Sequence, residues 1–212
     1  MRTRICFAVS MVACATALLA TATACAQTSP DASTRQAAAN LAVNLCSTCH
    51  GPEGRGDNPL VPRLAGQQRA YIEVQLKAFR SQSRNDPEAH DYMWGIAATL
   101  NDNIVAGLAE YYAAQKPATG APAKNAPVAA AGKALFDKGS PDRGIPPCAA
   151  CHGMDAEGMS VFPRLAGQHG QYLARQMQMI QKKLRDSPVM HGALKELSDE
   201  DIVAVATYLQ SK

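Results

Sequence analysis

Aromatic and charged residues are both scarce in this chain of 212 residues, at 5% and 18% of the composition. So few charges argue against a coiled coil or an acidic disordered tail. The net charge is only +3 and no dense run of Lys and Arg occurs, which argues against a nucleic-acid partner. Long apolar runs are absent beyond the start of the chain, so a polytopic membrane protein is excluded as well.

The start of the chain predicts a secretory signal over residues 1–26. Arg2 and Arg4 give it a basic beginning, Ile5–Ala20 is apolar, and the A-C-A sequence at its end is a small-residue cleavage site. The alternatives are an overlapping upstream cleavage site, lipid attachment at Cys25 and an uncleaved membrane anchor. The protein is therefore expected to work outside the cytoplasm.

The remaining sequence contains one pattern twice. The motif C-x-x-C-H-G begins at Cys46 and recurs 102 residues later at Cys148. The motif P-R-L-A-G-Q begins at Pro62 and recurs 101 residues later at Pro163. Two copies of domain size indicate a duplicated domain rather than a solenoid. We predict domains over residues 27–116 and 129–212, joined by a Pro/Ala-rich linker over residues 117–128.

Both copies show helical patterns and no alternating strand pattern of useful length, so the expected fold class is all-α. Predicted helices cover Ser33–Leu45 and Arg69–Ser83. Asn101 and Ser198 are predicted N-caps of the last helix of each copy, with Asp201 at the third position of the second one. Because each domain is small and poor in aromatic side chains, a large apolar cofactor would supply part of its core.

The cysteines outside the leader point to that cofactor. C-x-x-C followed by His is the attachment signal for c-type haem. Residues three apart share a helix face, so both thiols can form thioethers with one porphyrin while the adjacent imidazole reaches the iron. The covalent haem residues are therefore predicted to be Cys46, Cys49, Cys148 and Cys151, and the first axial ligands His50 and His152. Zinc binding would require four ligands per site, and a thioredoxin-like redox pair would require a strand–helix context.

The second axial ligand separates an electron carrier from a catalyst with an open iron site. Met93 and Met190 occupy matching positions 97 residues apart, and a thioether opposite imidazole fills the iron and raises its potential. His90 and His191 are the rival ligands. Met177 has the spacing of a helix core position, so packing is its expected role.

Two further repeated residues are expected near the haems. The carbonyls of Pro62 and Pro163 are placed to accept the axial imidazole N–H. Arg63 and Arg164 are candidates to pair with haem propionates, although P-R-L-A-G-Q is equally well explained as a turn before a helix.

Two C-x-x-C-H motifs about a hundred residues apart, each followed by P-R-L-A-G-Q-x-x-x-Y and a downstream Met, resemble the dihaem cytochrome c4 family. The resemblance implies two class-I cytochrome c domains related by a pseudo-twofold axis, with their haem propionates facing each other. It also implies a periplasmic one-electron carrier with two haem c groups, possible peripheral membrane association, a cytochrome bc complex as donor and a cbb-type terminal oxidase as acceptor. The segment Gly139–Pro147 departs from the duplicated pattern, since the first copy lacks a counterpart.

Two other functions fit the same motifs. A haem-bearing subunit of a periplasmic dehydrogenase would have an identical sequence pattern. A dihaem peroxidase would need an easily vacated iron site, which the two matched methionines argue against. A basic cluster of Lys182, Lys183, Arg185 and Arg175 is either a steering surface for an acidic partner or a solvated helix face.

Overall fold

The all-α fold class is confirmed by a computed structural model, which describes residues 29–212. The predicted signal peptide lies outside the described residues. Those residues form ten α-helices and isolated bridges without a β-strand, and no helix among them is both long and apolar enough to cross a membrane. The helices are α1 (Ala32–Leu41), α2 (Ser47–His50), α3 (Arg69–Arg80), α4 (Trp94–Ala98), α5 (Asp102–Ala113), α6 (Ala126–Lys138), α7 (Ala149–His152), α8 (Gly170–Gln181), α9 (Pro188–Leu194) and α10 (Asp199–Gln210).

The two copies use their helices in the same order and pack them in the same way. In the first copy α1 and α3 pack on α5, and in the second α6 and α8 pack on α10. Both predicted N-caps are confirmed, since the Asn101 side chain accepts from the N–H of Ile104 and Ser198 forms a reciprocal capping box with Asp201. Each cap fixes the start of the helix on which its copy's core is built.

The copies differ in how the first helix reaches the C-x-x-C-H motif. In the first copy, α1 continues through a π-helical segment, Ala42–Cys46, directly into α2. In the second copy α6 ends at Gly139, which has a positive φ of 64° and would place a Cβ 2.2 Å from the carbonyl oxygen of Ile145. The inserted segment folds back on its own copy, because Ile145 is buried in a cluster that includes Ile180, Leu194, Leu197 and Ile202.

Close approach of α6 and α10 leads to a prediction about Gly132. A Cβ at this position would lie 1.9 Å from the carbonyl oxygen of Ala204 on α10. Gly132→Ala should therefore lower the free energy of unfolding by about 1–3 kcal/mol, the usual cost of overpacking. Gly192→Ala, on α9, is the matched control, because its Cβ meets nothing within 4 Å. At Gly192 the higher helix propensity of alanine should raise the free energy of unfolding, by up to about 1 kcal/mol. Equal effects at the two glycines in urea unfolding would contradict this account.

Reciprocal hydrogen bonds join the two copies. The Gln67 side-chain amide donates to the carbonyl of Arg164 at 3.0 Å, and its oxygen accepts the N–H of Arg164 at 2.7 Å. Gln168 makes the equivalent pair with the backbone of Arg63, at 2.9 Å in both directions. Both glutamines are buried, and this exchange is consistent with a pseudo-twofold relation between the copies.

The segment between the copies lies against the end of α10. The N–H of Gly120 donates to the carbonyl of Lys212 at 3.0 Å, and that of Ala121 donates to Gln210 at 3.2 Å. Helix α6 then begins at Ala126, with the Asn125 side chain as its N-cap. The intervening chain is thus tied to the second copy before the helix starts.

Candidate haem sites

The four cysteines of the two motifs lie on or directly before the short helices α2 and α7, and none of them forms a disulfide within the described residues. Cys46 and Cys148 border the cores of their copies. Burial raises the pKa of Cys46 and raises that of Cys148 to about 11. The neutral thiol is therefore the favoured form at both positions before a haem is attached.

Both motif histidines are oriented by a proline carbonyl. His50 Nδ1 donates to the carbonyl oxygen of Pro62 at 2.8 Å, and His152 Nδ1 donates to that of Pro163 at 3.0 Å. Burial lowers the pKa of both imidazoles, with these hydrogen bonds acting in the opposite direction. The neutral ring with its proton on Nδ1 is thus favoured, which leaves the lone pair on Nε2.

The Nε2 atom of His152 shows that the site fits a haem. This nitrogen is buried and has no hydrogen-bond partner, and the residue as a whole is 4% exposed. An orphaned buried acceptor is costly and rare in a folded protein. An iron ligand bond would satisfy it, and the adjacent Cys148 and Cys151 would hold the porphyrin to the same short helix.

The loop after each histidine turns back on the motif. The N–H of Gly56 donates to the carbonyl of His50 at 2.7 Å, and that of Gly158 donates to His152 at 2.8 Å. The same loops meet the other copy: His169 Nε2 donates to the carbonyl of Gly56 at 2.8 Å, and Gln68 Nε2 donates to the carbonyl of Glu157 at 2.9 Å. The loop beside each motif histidine is therefore part of the interface between the copies.

Met93 and Met190 lie in equivalent parts of their copies, each after the helix that follows P-R-L-A-G-Q. Met93 ends a π-helical segment, Ala89–Met93, and packs on a cluster containing Phe79. Met190 is on α9 and packs on the cluster that contains Ile145. Both side chains are half-buried. Their role as axial ligands stays a prediction.

The rival axial candidates, His90 and His191, and the core residue Met177 each have contacts of their own. His90 is exposed and lies beside Asp91 and Trp94. His191 is half-buried, with Nε2 3.3 Å from the carbonyl oxygen of Arg185. Met177 packs against the core of the second copy, in agreement with its expected packing role.

The repeated arginines Arg63 and Arg164 have different surroundings. Arg63 donates from Nη1 to the carbonyl of Gly167 in the other copy at 2.7 Å. Arg164 has a buried Nε without a hydrogen-bond partner. Pairing of either residue with a propionate stays a prediction.

The predicted basic cluster is not one surface. Arg185 is buried between the copies, and Arg175 forms an ion pair with Glu88 of the first copy. Lys182 and Lys183 are exposed, and Arg175 keeps 40% of its side chain exposed. The prediction of one exposed basic cluster is therefore wrong at Arg185, which is buried between the copies.

Sequence reasoning also missed Arg84, the counterpart of Arg185. The two arginines are 101 residues apart, as are Gln75 and Gln176, which both guanidinium groups contact. This is the offset of P-R-L-A-G-Q, so the repeat itself was the available signal.

The arrangement that zinc would need is not present in residues 29–212, which contain no group of three or more His, Cys, Asp or Glu placed to hold a metal ion.

Comparison with known proteins places this arrangement in a family. The sequence model described as cytochrome c matches the chain twice, over residues 36–115 and 129–212. The chain is 36% identical over 187 residues to cytochrome c4 of Thiocapsa roseopersicina, covering 85% of this chain and 94% of that protein. It is 35% identical over 179 residues to the thiosulfate dehydrogenase electron acceptor of Stutzerimonas stutzeri strain A1501, covering 82% and 81%.

A solved structure agrees with the sequence matches. Cytochrome c4 from Acidithiobacillus ferrooxidans is similar with a TM-score of 0.75 and 40% identity, covering 79% of this chain and 98% of that one. Each of the two cytochrome c matches contains one C-x-x-C-H motif, so each copy carries one covalently bound haem c. The protein transfers electrons and is not an enzyme. The chain belongs to the dihaem cytochrome c4 family.

Proposed function

We propose that this haem electron carrier works in the periplasm and delivers electrons to a terminal oxidase, with a cytochrome bc complex as a donor. The haem iron supplies a one-electron couple. The proposed domains are residues 27–116 and 129–212, with the linker at 117–128. The covalent attachment residues are Cys46, Cys49, Cys148 and Cys151, and the axial pairs are His50 with Met93 and His152 with Met190.

The observation that carries this proposal is the pre-set orientation of the two imidazoles. Each Nδ1 is bound to a proline carbonyl, at 2.8 Å for His50 and 3.0 Å for His152. A ring fixed in this way would present the same nitrogen, Nε2, to a bound haem iron in either oxidation state. Little of the ligand geometry then has to change on reduction, as a carrier requires.

A second donor is favoured by one of the relatives. The protein of Stutzerimonas stutzeri that is 35% identical to this chain is named as a thiosulfate dehydrogenase electron acceptor. We therefore propose a periplasmic dehydrogenase as the alternative electron source. The two candidates differ in the donor alone, so both can be tested with one acceptor.

The test uses the exported, haem-loaded protein and measures both halves of its turnover. Reduction is followed optically with a purified bc complex and reduced quinol, and separately with thiosulfate dehydrogenase and thiosulfate. Membranes containing a cbb-type oxidase are then added. We expect fast reoxidation that saturates with oxidase concentration. If the protein stays reduced in the presence of the oxidase, the oxidase is not its acceptor. The donor that reduces the protein faster is identified as its electron source.

A further inference from the structure

A buried position of the last helix differs in polarity between the copies. It is Tyr112 in the first copy and Leu209 in the second, at 3% and 1% exposure. The carbonyl of Tyr112 accepts the N–H of Gly66 at 2.9 Å. The carbonyl of Leu209 accepts the N–H of Gly167, the matching glycine of P-R-L-A-G-Q, at the same distance. The two positions are therefore equivalent, and one copy places a phenol where the other places a hydrocarbon.

The loop after each C-x-x-C-H motif is matched in size to this residue. At Gly54 a Cβ would lie 2.9 Å from Cδ1 of the Tyr112 ring, so the loop rests directly on the phenol. The second copy has Ala156 at the offset of 102 that relates the motifs, and Ala156 is buried in the same core cluster as Leu209. The larger side chain is thus paired with glycine and the smaller one with alanine. Packing accounts for the ring of Tyr112 in this way, and phenylalanine would fill the same space.

Packing does not account for the Tyr112 hydroxyl. Its oxygen is buried and makes no hydrogen bond of ordinary geometry to the residues that the structure describes. Burial, together with the neighbouring Cys46, raises the pKa of Tyr112, so the hydroxyl keeps its proton. A buried donor in this state is costly and rare in a folded protein. The hydroxyl therefore requires an acceptor.

The acceptor beside the hydroxyl is the sulfur of Cys46, which packs against the core cluster that contains Tyr112. Burial raises the pKa of Cys46, and the Tyr112 hydroxyl acts against that rise, which places the hydroxyl next to the sulfur. Addition of this thiol to a haem vinyl group transfers its hydrogen to carbon and leaves a thioether sulfur, which can only accept. In the second copy, Cys148 packs against the cluster of Leu209, which has no donor to offer.

We propose that the Tyr112 hydroxyl donates a hydrogen bond to the thioether sulfur formed at Cys46 and thereby raises the reduction potential of the first haem. The O–H dipole directs its positive end toward the haem, which opposes the additional positive charge of ferric iron. The second haem lacks this contribution, because Leu209 has no polar side-chain atom. Tyr112 is a positioning residue that acts through Cys46. The proposal rests on the proposed attachment of a haem at Cys46, and not on the axial methionines or the oxidase.

The experiment is a redox titration of the haem-loaded protein in which the two haems are resolved. Tyr112→Phe removes only the hydroxyl and should shift the first haem roughly two- to tenfold toward its ferric form, the range of one net hydrogen bond. A tenfold shift corresponds to about 59 mV for a one-electron couple. The second haem should keep its potential. Tyr111→Phe is the matched control, because it removes the same atom from the half-buried neighbouring ring, whose centroid lies 5.1 Å from that of Tyr112.

A second variant separates the hydroxyl from the ring. Tyr112→Leu introduces the residue of the second copy and should lower the potential of the first haem as much as Tyr112→Phe does. The C–S stretching band of the thioether in resonance Raman spectra should move in both variants and stay in place in Tyr111→Phe. An unchanged potential in Tyr112→Phe, or equal shifts of both haems, would overturn the proposal. A shift in the leucine variant alone would overturn it too, because the ring and not the hydroxyl would then be responsible.

Mass spectrometry of haem-bearing peptides from the parent protein tests the attachment at Cys46 separately. A haem bound only at the second motif would refute both that attachment and the role of Tyr112. If both motifs carry haem and Tyr112→Phe leaves the potentials in place, only the role of Tyr112 is lost. Failure of electron delivery to the oxidase would leave these potentials unaffected.

Discussion

Met93→Ala should open the first haem to small ligands and lower its reduction potential, while the second haem keeps its own. A thioether opposite imidazole completes the iron coordination and stabilises the ferrous state, and alanine offers no ligand. Axial ligands change haem potentials over a range of about 0.8 V, so we expect a shift on the order of a hundred millivolts or more. Optical redox titration together with cyanide and carbon monoxide binding measures both effects.

Met190→Ala is the reciprocal variant and should transfer the same changes to the second haem. Met177→Leu is the control, because Met177 packs against the core and a volume-conserving change there should leave both potentials in place. If Met93→Ala leaves both haems closed to cyanide with unchanged potentials, the sixth ligand of the first haem is another residue. His90, exposed beside Asp91, would then be the next variant to test.

Local signals were sufficient for the elements whose reasons are local. The N-caps at Asn101 and Ser198 were predictable because a cap needs only its own side chain and the next few residues. The placement of each C-x-x-C-H motif at a short helix was predictable for a similar reason, since two thiols three residues apart share a helix face. The bond between His50 and Pro62 spans 12 residues, yet the duplicated spacing already pointed to it.

Contacts between the copies were beyond the same reasoning. Arg185 follows two exposed lysines, and its local sequence does not distinguish the buried cation from them. Only its offset of 101 residues from Arg84 in the repeat marks it. Its burial follows from Arg84, Gln75 and Gln176, which come together only when the two domains dock. The structure of the insertion Gly139–Pro147 was equally hard to predict from the sequence, because the position of Ile145 in the core near Met190 depends on how the loop folds back.

Docking of the copies leads to the second large prediction, for Gln67→Ala combined with Gln168→Ala. Each amide pairs with both backbone groups of one arginine in the other copy, Arg164 for Gln67 and Arg63 for Gln168. Truncation leaves these backbone groups without partners, at about 1–3 kcal/mol for each buried group left unsatisfied. We expect the double variant to lose several kcal/mol of interface stability and its two domains to unfold in separate transitions.

Denaturant unfolding followed at the two haems, with scanning calorimetry on the same samples, tests this expectation. Gln68→Ala is the control, because Gln68 makes a single bond to the carbonyl of Glu157, at 2.9 Å, near the exposed edge of the interface. The single variants Gln67→Ala and Gln168→Ala should be equally damaging if the interface is symmetric. One coincident transition in the double variant would mean that other interface contacts, such as those of the buried Arg84 and Arg185, couple the copies in place of the amide exchange. The double variant therefore shows whether the amide exchange carries most of the energy of docking.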